Sequence, residues 1–396
     1  MKMPPVSIGL VVSTMVASVA LSACGGSSTP QTTSTLPSQT VVHSWASLNS
    51  SNIASGHNVL MAVASAGKSI IAVGDYFNGS VDRTLIESKN SHGFVPMSSP
   101  NASTMHNELD AVAGLTSNDV WAVGRYAPLV GQERTLIEHF DGVKWSIIPS
   151  PNVGQFHNEL DGISAVYFND VWAVGHYDTQ ASPLDKALIE HWDGVKWSIV
   201  PAPSLLGKIS DLKAISVTPK GGPVWAVGSQ QIGNRVVSLA IQMVGGVWRV
   251  IPSPNHGPFA NALTSVSAIS VRVMWAVGAE THSSTSLAVT LHWDGQDIDL
   301  ERIPERLTHH YELNSVAGDS LRRVFAVGDY YAGKTYVPII LQWTGKHWRE
   351  SAFPTTLFTH NILLGVETSA GAVPVAVGKY FSGSADQTLA YQCRCK

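Results

Sequence analysis

The stretch Leu160-Asp161-Gly162-Ile163-Ser164-Ala165-Val166 opens a unit that runs to Pro203 and decides the fold. Apolar residues alternate there with small or polar ones, the period of a half-buried strand. Asn169-Asp170 reads as a turn, and Val171-Trp172-Ala173-Val174-Gly175 as a second strand. After a polar loop, Ala187-Leu188-Ile189-Glu190-His191-Trp192 is a third. Asp193-Gly194 is a two-residue hairpin signal, because both central positions of a type I′ turn need positive φ. Lys196-Trp197-Ser198-Ile199-Val200 is the fourth strand, stopped by Pro201-Ala202-Pro203. Four short strands in some fifty residues make one propeller blade.

Outward from this unit the same grammar recurs. Trp-Ala-Val-Gly or a close variant ends at Gly74, Gly124, Gly175, Gly228, Gly278, Gly328 and Gly378, spaced by 50, 51, 53, 50, 50 and 50 residues. Fourth-strand anchors stand at Phe94, Trp145, Trp197, Trp248, Ile298 and Trp348, each 30 or 31 residues before the next glycine. The seventh repeat has its third strand at Thr388-Leu389-Ala390-Tyr391 and then no fourth. The absent strand is present at the other end, in His43-Ser44-Trp45-Ala46-Ser47-Leu48, with Trp45 29 residues before Gly74. A head strand that completes the last sheet closes a ring and removes an open edge. The expected fold is all-β: a seven-bladed β-propeller of four-stranded antiparallel blades over residues 41–396, the last blade closed by the N-terminal strand. The repeated Trp should pack between neighbouring sheets.

Composition agrees. Only 14% of residues are charged, while Gly and Pro number 34 and 21 and Trp 12. That suits short strands and tight turns better than long surface helices. A formal charge of −4 carries no basic excess, so neither nucleic acid nor an anionic membrane surface is an expected partner. A monomer is expected.

The first forty residues stand outside the propeller. Lys2 precedes the apolar run Val6 to Leu21, and Leu21-Ser22-Ala23-Cys24 follows. That pattern resembles the lipobox of bacterial lipoproteins. It implies a signal peptide at 1–23, a lipidated Cys24 and a location in the cell envelope, with the membrane reached through the lipid alone. Residues 24–40, rich in Ser, Thr, Gly, Pro and Gln, read as a flexible tether. Cys393 and Cys395 could pair after export or catch a soft metal; a disulfide, or no functional role, is the expectation. The repeats resemble the Trp-Ala-Val-Gly tandem repeats of exported bacterial propellers, a loose relative of the kelch and galactose-oxidase group. The repeats have no Gly-Gly doublet of the kelch type, no Trp-Asp ending of the WD type and no sialidase box, so no activity carries over from those families.

One pattern marks a candidate site. A histidine precedes the first strand in five repeats, at His57, His106, His157, His310 and His360. The same repeats carry a tyrosine two residues after the glycine, at Tyr76, Tyr126, Tyr177, Tyr330 and Tyr380. The fourth and fifth repeats lack both. Within a blade the two residues should meet, either as a structural hydrogen bond or as a ring at the channel mouth suited to a sugar, an anion or a transition metal. These ten residues are the ligand-binding candidates. No cofactor is called for, and no metal ligand or catalytic residue is assigned. Glu87, Glu138 and Glu190 share one third-strand position and are expected in solvent. The Asp-Gly pairs form turns, since no calcium-loop spacing accompanies them. The leading functional expectation is a non-catalytic binding module for a glycan or a protein on the long-loop face. The alternative is an extracellular polysaccharide hydrolase or lyase using a His–Tyr pair, with His as base and Tyr as acid.

Overall fold

A computed structural model describes residues 44–395, apart from 179–184, 205–208, 256, 283–284, 305–309, 353, 355–358 and 370. The segments read above as signal peptide, lipidation site at Cys24 and tether lie outside the described residues. Twenty-eight strands form seven four-stranded antiparallel sheets, and the described residues contain no helix. Six blades are consecutive in sequence: Asn58–Pro96, Asn107–Ile147, Asn158–Ile199, Ser210–Ile251, Ala260–Leu300 and Tyr311–Glu350. The seventh joins Thr359–Glu367, Val375–Phe381 and Asp386–Cys393 to the N-terminal strand Trp45–Leu48. Trp45 faces Cys393 and Leu48 faces Ala390 in that register. Each innermost strand packs against that of the next blade, and the seventh returns to the first. The chain is a closed seven-bladed propeller.

The repeat glycine has a steric cause. In every blade the innermost strand bulges opposite it, between Leu160 and Gly162 in blade 3 and at the matching place in the other six. The bulge drives a first-strand carbonyl oxygen to within 1.9–2.2 Å of where a Cβ on the glycine would sit. No side chain fits there. Each bulge also leaves one residue out of the ladder: Asp110 in blade 2, Asp161 in blade 3 and Lys213 in blade 4.

The core is a set of apolar clusters between neighbouring sheets. Tryptophan carries it in a repeated contact. The Trp of one blade's second strand meets the fourth-strand anchor of the next edge-on: Trp121 with Trp197 at 5.6 Å, Trp172 with Trp248 at 5.8 Å, Trp275 with Trp348 at 5.1 Å. At the closing seam Phe325 meets Trp45 at 5.6 Å in the same geometry. Edge-to-face pairs at this distance add about 0.5–1.5 kcal/mol each beyond their area. Cys393 and Cys395 are joined by a disulfide.

The three glutamates correct the sequence expectation. Glu87, Glu138 and Glu190 are fully buried. A serine from the segment entering each blade donates to each carboxyl: Ser50 Oγ at 2.9 Å, Ser99 Oγ at 3.1 Å and Ser150 Oγ at 2.8 Å. Two of these serines also bond back to the preceding blade, Ser99 to Thr84 and Ser150 to Thr135. The blade-to-blade segment thus covers a strand that strand order alone leaves open. Burial pushes the carboxyls up, to about 7 for Glu87 and about 8 for Glu138 and Glu190.

Candidate functional site

The histidines and tyrosines share an end of their blades, but the structure does not join them as expected. Across the first two strands each tyrosine faces the residue after the histidine: Tyr76 faces Asn58, Tyr126 faces Asn107, Tyr177 faces Asn158 and Tyr330 faces Tyr311. In blade 7 the register slips between Thr359 and Ile362, so Tyr380 has no counterpart in the ladder. All five tyrosines pack partly buried against the apolar clusters.

The asparagines do work the sequence did not suggest. Asn58, Asn107 and Asn158 are fully buried. Each takes a backbone N–H of the preceding loop on Oδ1, from Ile53 at 2.9 Å, Ser103 at 3.0 Å and Val153 at 2.7 Å. Their Nδ2 groups donate to loop carbonyls. A buried amide so bonded holds the loop shape that presents the histidine.

Three of the histidines turn to acids instead. His57 Nε2 lies 3.0 Å from both Asp75 Oδ2 and Asp82 Oδ1. His106 Nδ1 is 2.5 Å from Asp82 Oδ2, and His157 Nδ1 is 2.9 Å from Glu133 Oε2, each reaching back one blade. His310 meets Tyr331 edge-on at 6.0 Å. His360 lies 5.7 Å from Tyr336 and 6.3 Å from Phe381.

Some of these groups line two clefts. Between blades 1 and 3, a cleft of about 420 Å³ includes Asp82, His106, Glu108, Arg125, Glu133 and His157. The Arg125 guanidinium bonds Glu108 of its own blade and Glu159 of the next, with Glu133 at 3.5 Å. Asp161 accepts from Lys213 Nζ at 2.8 Å and pairs with His176 at 3.1 Å. Burial and the neighbouring Glu159 push Asp110 well above the carboxylate range, and its Oδ2 has no hydrogen-bond partner. The sector carries more acid than base.

The second cleft, about 350 Å³, opens between blades 5 and 6 and includes His282, His310, Glu312, Asp329, Tyr331 and Tyr336. Tyr331 and Tyr336 are 39% and 40% exposed, their rings 5.3 Å apart. Phe259 lies 3.6 Å from the His282 ring. Ser286 Oγ donates to Glu312 at 2.7 Å, and Asn314 Nδ2 to Asp329 at 3.3 Å. Burial, then the Glu312 charge, push the Asp329 carboxyl up to about 7. At neutral pH it can therefore both donate and accept.

Sequence reading missed Asp75, Asp82, Glu108, Arg125, Glu133 and Asp329. A signal was available, since the position after each repeat glycine is often charged: Asp75, Arg125, Asp329 and Lys379.

No protein-family model and no curated protein matches the sequence. Solved structures do match. The structure described as "YCF48 bound to D1 peptide" superposes with a TM-score of 0.51 at 12% identity, over 86% of this chain and 93% of that one. The extracellular domain of BT4673 from B. thetaiotaomicron gives 0.53 at 8% identity over 87% of this chain; the match spans 39% of that longer chain. At such identities the likeness is one of fold alone.

Proposed function

We propose that this protein is an exported, lipid-anchored propeller of the Trp-Ala-Val-Gly repeat group that binds without catalysing, its ligand a carbohydrate held between blades 5 and 6. The observation that carries this reading is the pairing of exposed aromatic rings with carboxyl groups in one small cleft. Tyr331 and Tyr336 offer flat apolar faces for the C–H side of a sugar ring. Glu312 accepts hydroxyl protons, and Asp329, with its carboxyl near half-protonation, serves as donor or acceptor. A cleft of about 350 Å³ sits at the small end of the ~300–1,000 Å³ range of ligand sites, suiting a short sugar segment. Two carboxyls disfavour acidic sugars, so neutral or amino sugars are the fitting class. Anchoring through Cys24, after a signal peptide over 1–23, would place the cleft in the cell envelope among such polymers.

A protein ligand is the second reading, and it rests on the other cleft. Leu129 and Val130, 60% and 88% exposed, stand beside the acid-rich sector and would suit a partner presenting apolar and basic side chains.

The test is an array of neutral and amino-sugar oligosaccharides, with titration of any that bind. Tyr336→Ala should weaken binding at least tenfold while leaving the melting temperature close to wild type. Sugar binding indifferent to Tyr336→Ala and Glu312→Gln would refute the site. Release of a sugar product would refute the non-catalytic reading.

A further inference from the structure

Blade 1 departs from blades 2 and 7 at one pair of positions. The residue after the repeat glycine and the residue two before the third-strand Thr approach each other where those strands end. In blade 7 they are Lys379 and Asp386, an ion pair at 2.8 Å. In blade 2 they are Arg125 and Glu133, 3.5 Å apart. In blade 1 both are acids, Asp75 and Asp82. The cation that two sister blades supply from their own chain is missing.

His57 stands between those acids, its Nε2 3.0 Å from an oxygen of each. One ring nitrogen carries at most one proton. The hydrogen bond goes to Asp75, and Asp82 Oδ1 is left buried with no hydrogen-bond partner. Both aspartate side chains are only 16% exposed. Among the described residues no lysine or arginine pairs with either. Two sheltered carboxylates without a resident cation are a costly arrangement.

We propose that His57 Nε2, Asp75 Oδ2 and Asp82 Oδ1 bind a divalent transition-metal ion, zinc being the fitting choice, and that His106 steadies Asp82 from outside. The donor atoms of the three residues lie within 4.8 Å of one another. One imidazole and two carboxylates are a zinc-type donor set, and three protein ligands leave a fourth position open. Tetrahedral bonds of about 2.0–2.2 Å put neighbouring donors roughly 3.3 Å apart. The 3.0 Å separations need open only slightly to admit the ion. His57 stacks on Phe77 at 5.7 Å, which holds the imidazole on this side of the loop. His106 Nδ1, 2.5 Å from Asp82 Oδ2, occupies the other carboxylate oxygen, as outer groups commonly do for metal-bound carboxylates. The adjoining trio of Asp82, His106 and Glu108 is a poorer site, because Arg125 already bonds Glu108.

This site lies in a different sector from the carbohydrate cleft, and either reading can fail without the other. The test uses the full-length protein, stripped with chelator, with its disulfide intact, and titrated with zinc ion alone by calorimetry and equilibrium dialysis. One equivalent should bind, and binding should raise the melting temperature. Asp75→Lys, which installs the ion pair of blade 7, should melt at or above the metal-free wild type yet bind zinc at least tenfold more weakly. His57→Ala should lose zinc similarly, whereas His157→Ala, the matching histidine of blade 3, should keep it. No zinc binding to wild type, or binding that persists at full affinity in Asp75→Lys or His57→Ala, overturns the proposal.

Discussion

Replacing Glu190 by Gln should stabilise the propeller, and increasingly so as pH rises. Glu190 is fully buried, Ser150 Oγ donates to its Oε2, and its Oε1 has no partner. Burial lifts its carboxyl from 4.5 to about 8. Between those values the unfolded chain has released the proton and the folded one still holds it. The folded state therefore binds more protons, and stability falls with rising pH. The loss is roughly 1.4 kcal/mol per pH unit across the window. Glutamine keeps the shape and a polar partner for Ser150 but has no proton to lose. Relative to wild type, Glu190→Gln should gain about 3 kcal/mol between pH 5 and pH 8. Urea unfolding of both proteins at each pH measures this, and contributions from all other titrating groups cancel in the difference. Any constant offset reports the fit of the amide; only the change with pH reports the carboxyl. A difference that stays flat from pH 5 to pH 8 would refute the argument, for it would mean that Glu190 ionises normally in the folded protein.

Other outcomes follow from the same geometry. Trp45→Ala, at the seam that closes the ring, should cost about 3–5 kcal/mol and destabilise blade 7 first; hydrogen exchange should show lost protection in Asp386–Cys393, and unchanged protection there would count against closure by the N-terminal strand. Gly228→Ala would set a Cβ 2.1 Å from the Asp211 carbonyl oxygen, and should cost about 3 kcal/mol or more in urea unfolding; a neutral result would mean the bulge is not rigid. Asn158→Ala removes the buried amide that ties Val153 and Phe156, so a loss of about 1–3 kcal/mol and faster proteolysis in the 151–157 loop are expected; a loop that resists protease as before would assign the anchor elsewhere.

The repeat was legible because its cause is local. Trp172, Val174 and Gly175 lie on one strand, and their roles between sheets and against the bulge recur wherever the motif recurs. Trp45 was legible for the same reason: its distance from Gly74 is within a residue or two of a fourth-strand anchor's, and the structure puts it in that role. The candidate site was read less well. Histidine and tyrosine rise and fall together along the repeats, yet they answer to different demands. The tyrosines pack against the core, while in blades 1 to 3 the histidines follow the loop that buried asparagines hold. Co-occurrence in a duplicated unit shows that two residues share a blade, not that they touch.

Burial of Glu87, Glu138 and Glu190 was out of reach for a similar reason. A strand's exposure depends on what crosses it, and here the crossing segment comes from the neighbouring blade. Strand period, turn chemistry and interval length are properties of adjacent residues, so seven blades and their closure could be counted along the chain. Charge balance around the histidines is set between residues that strand pairing and blade packing bring together, such as Arg125 with Glu159, or Asp82 with His57 and His106. Those distances exist only once the strands have paired and neighbouring blades have packed, and with them the clefts, the anchored loops and the paired acids of blade 1.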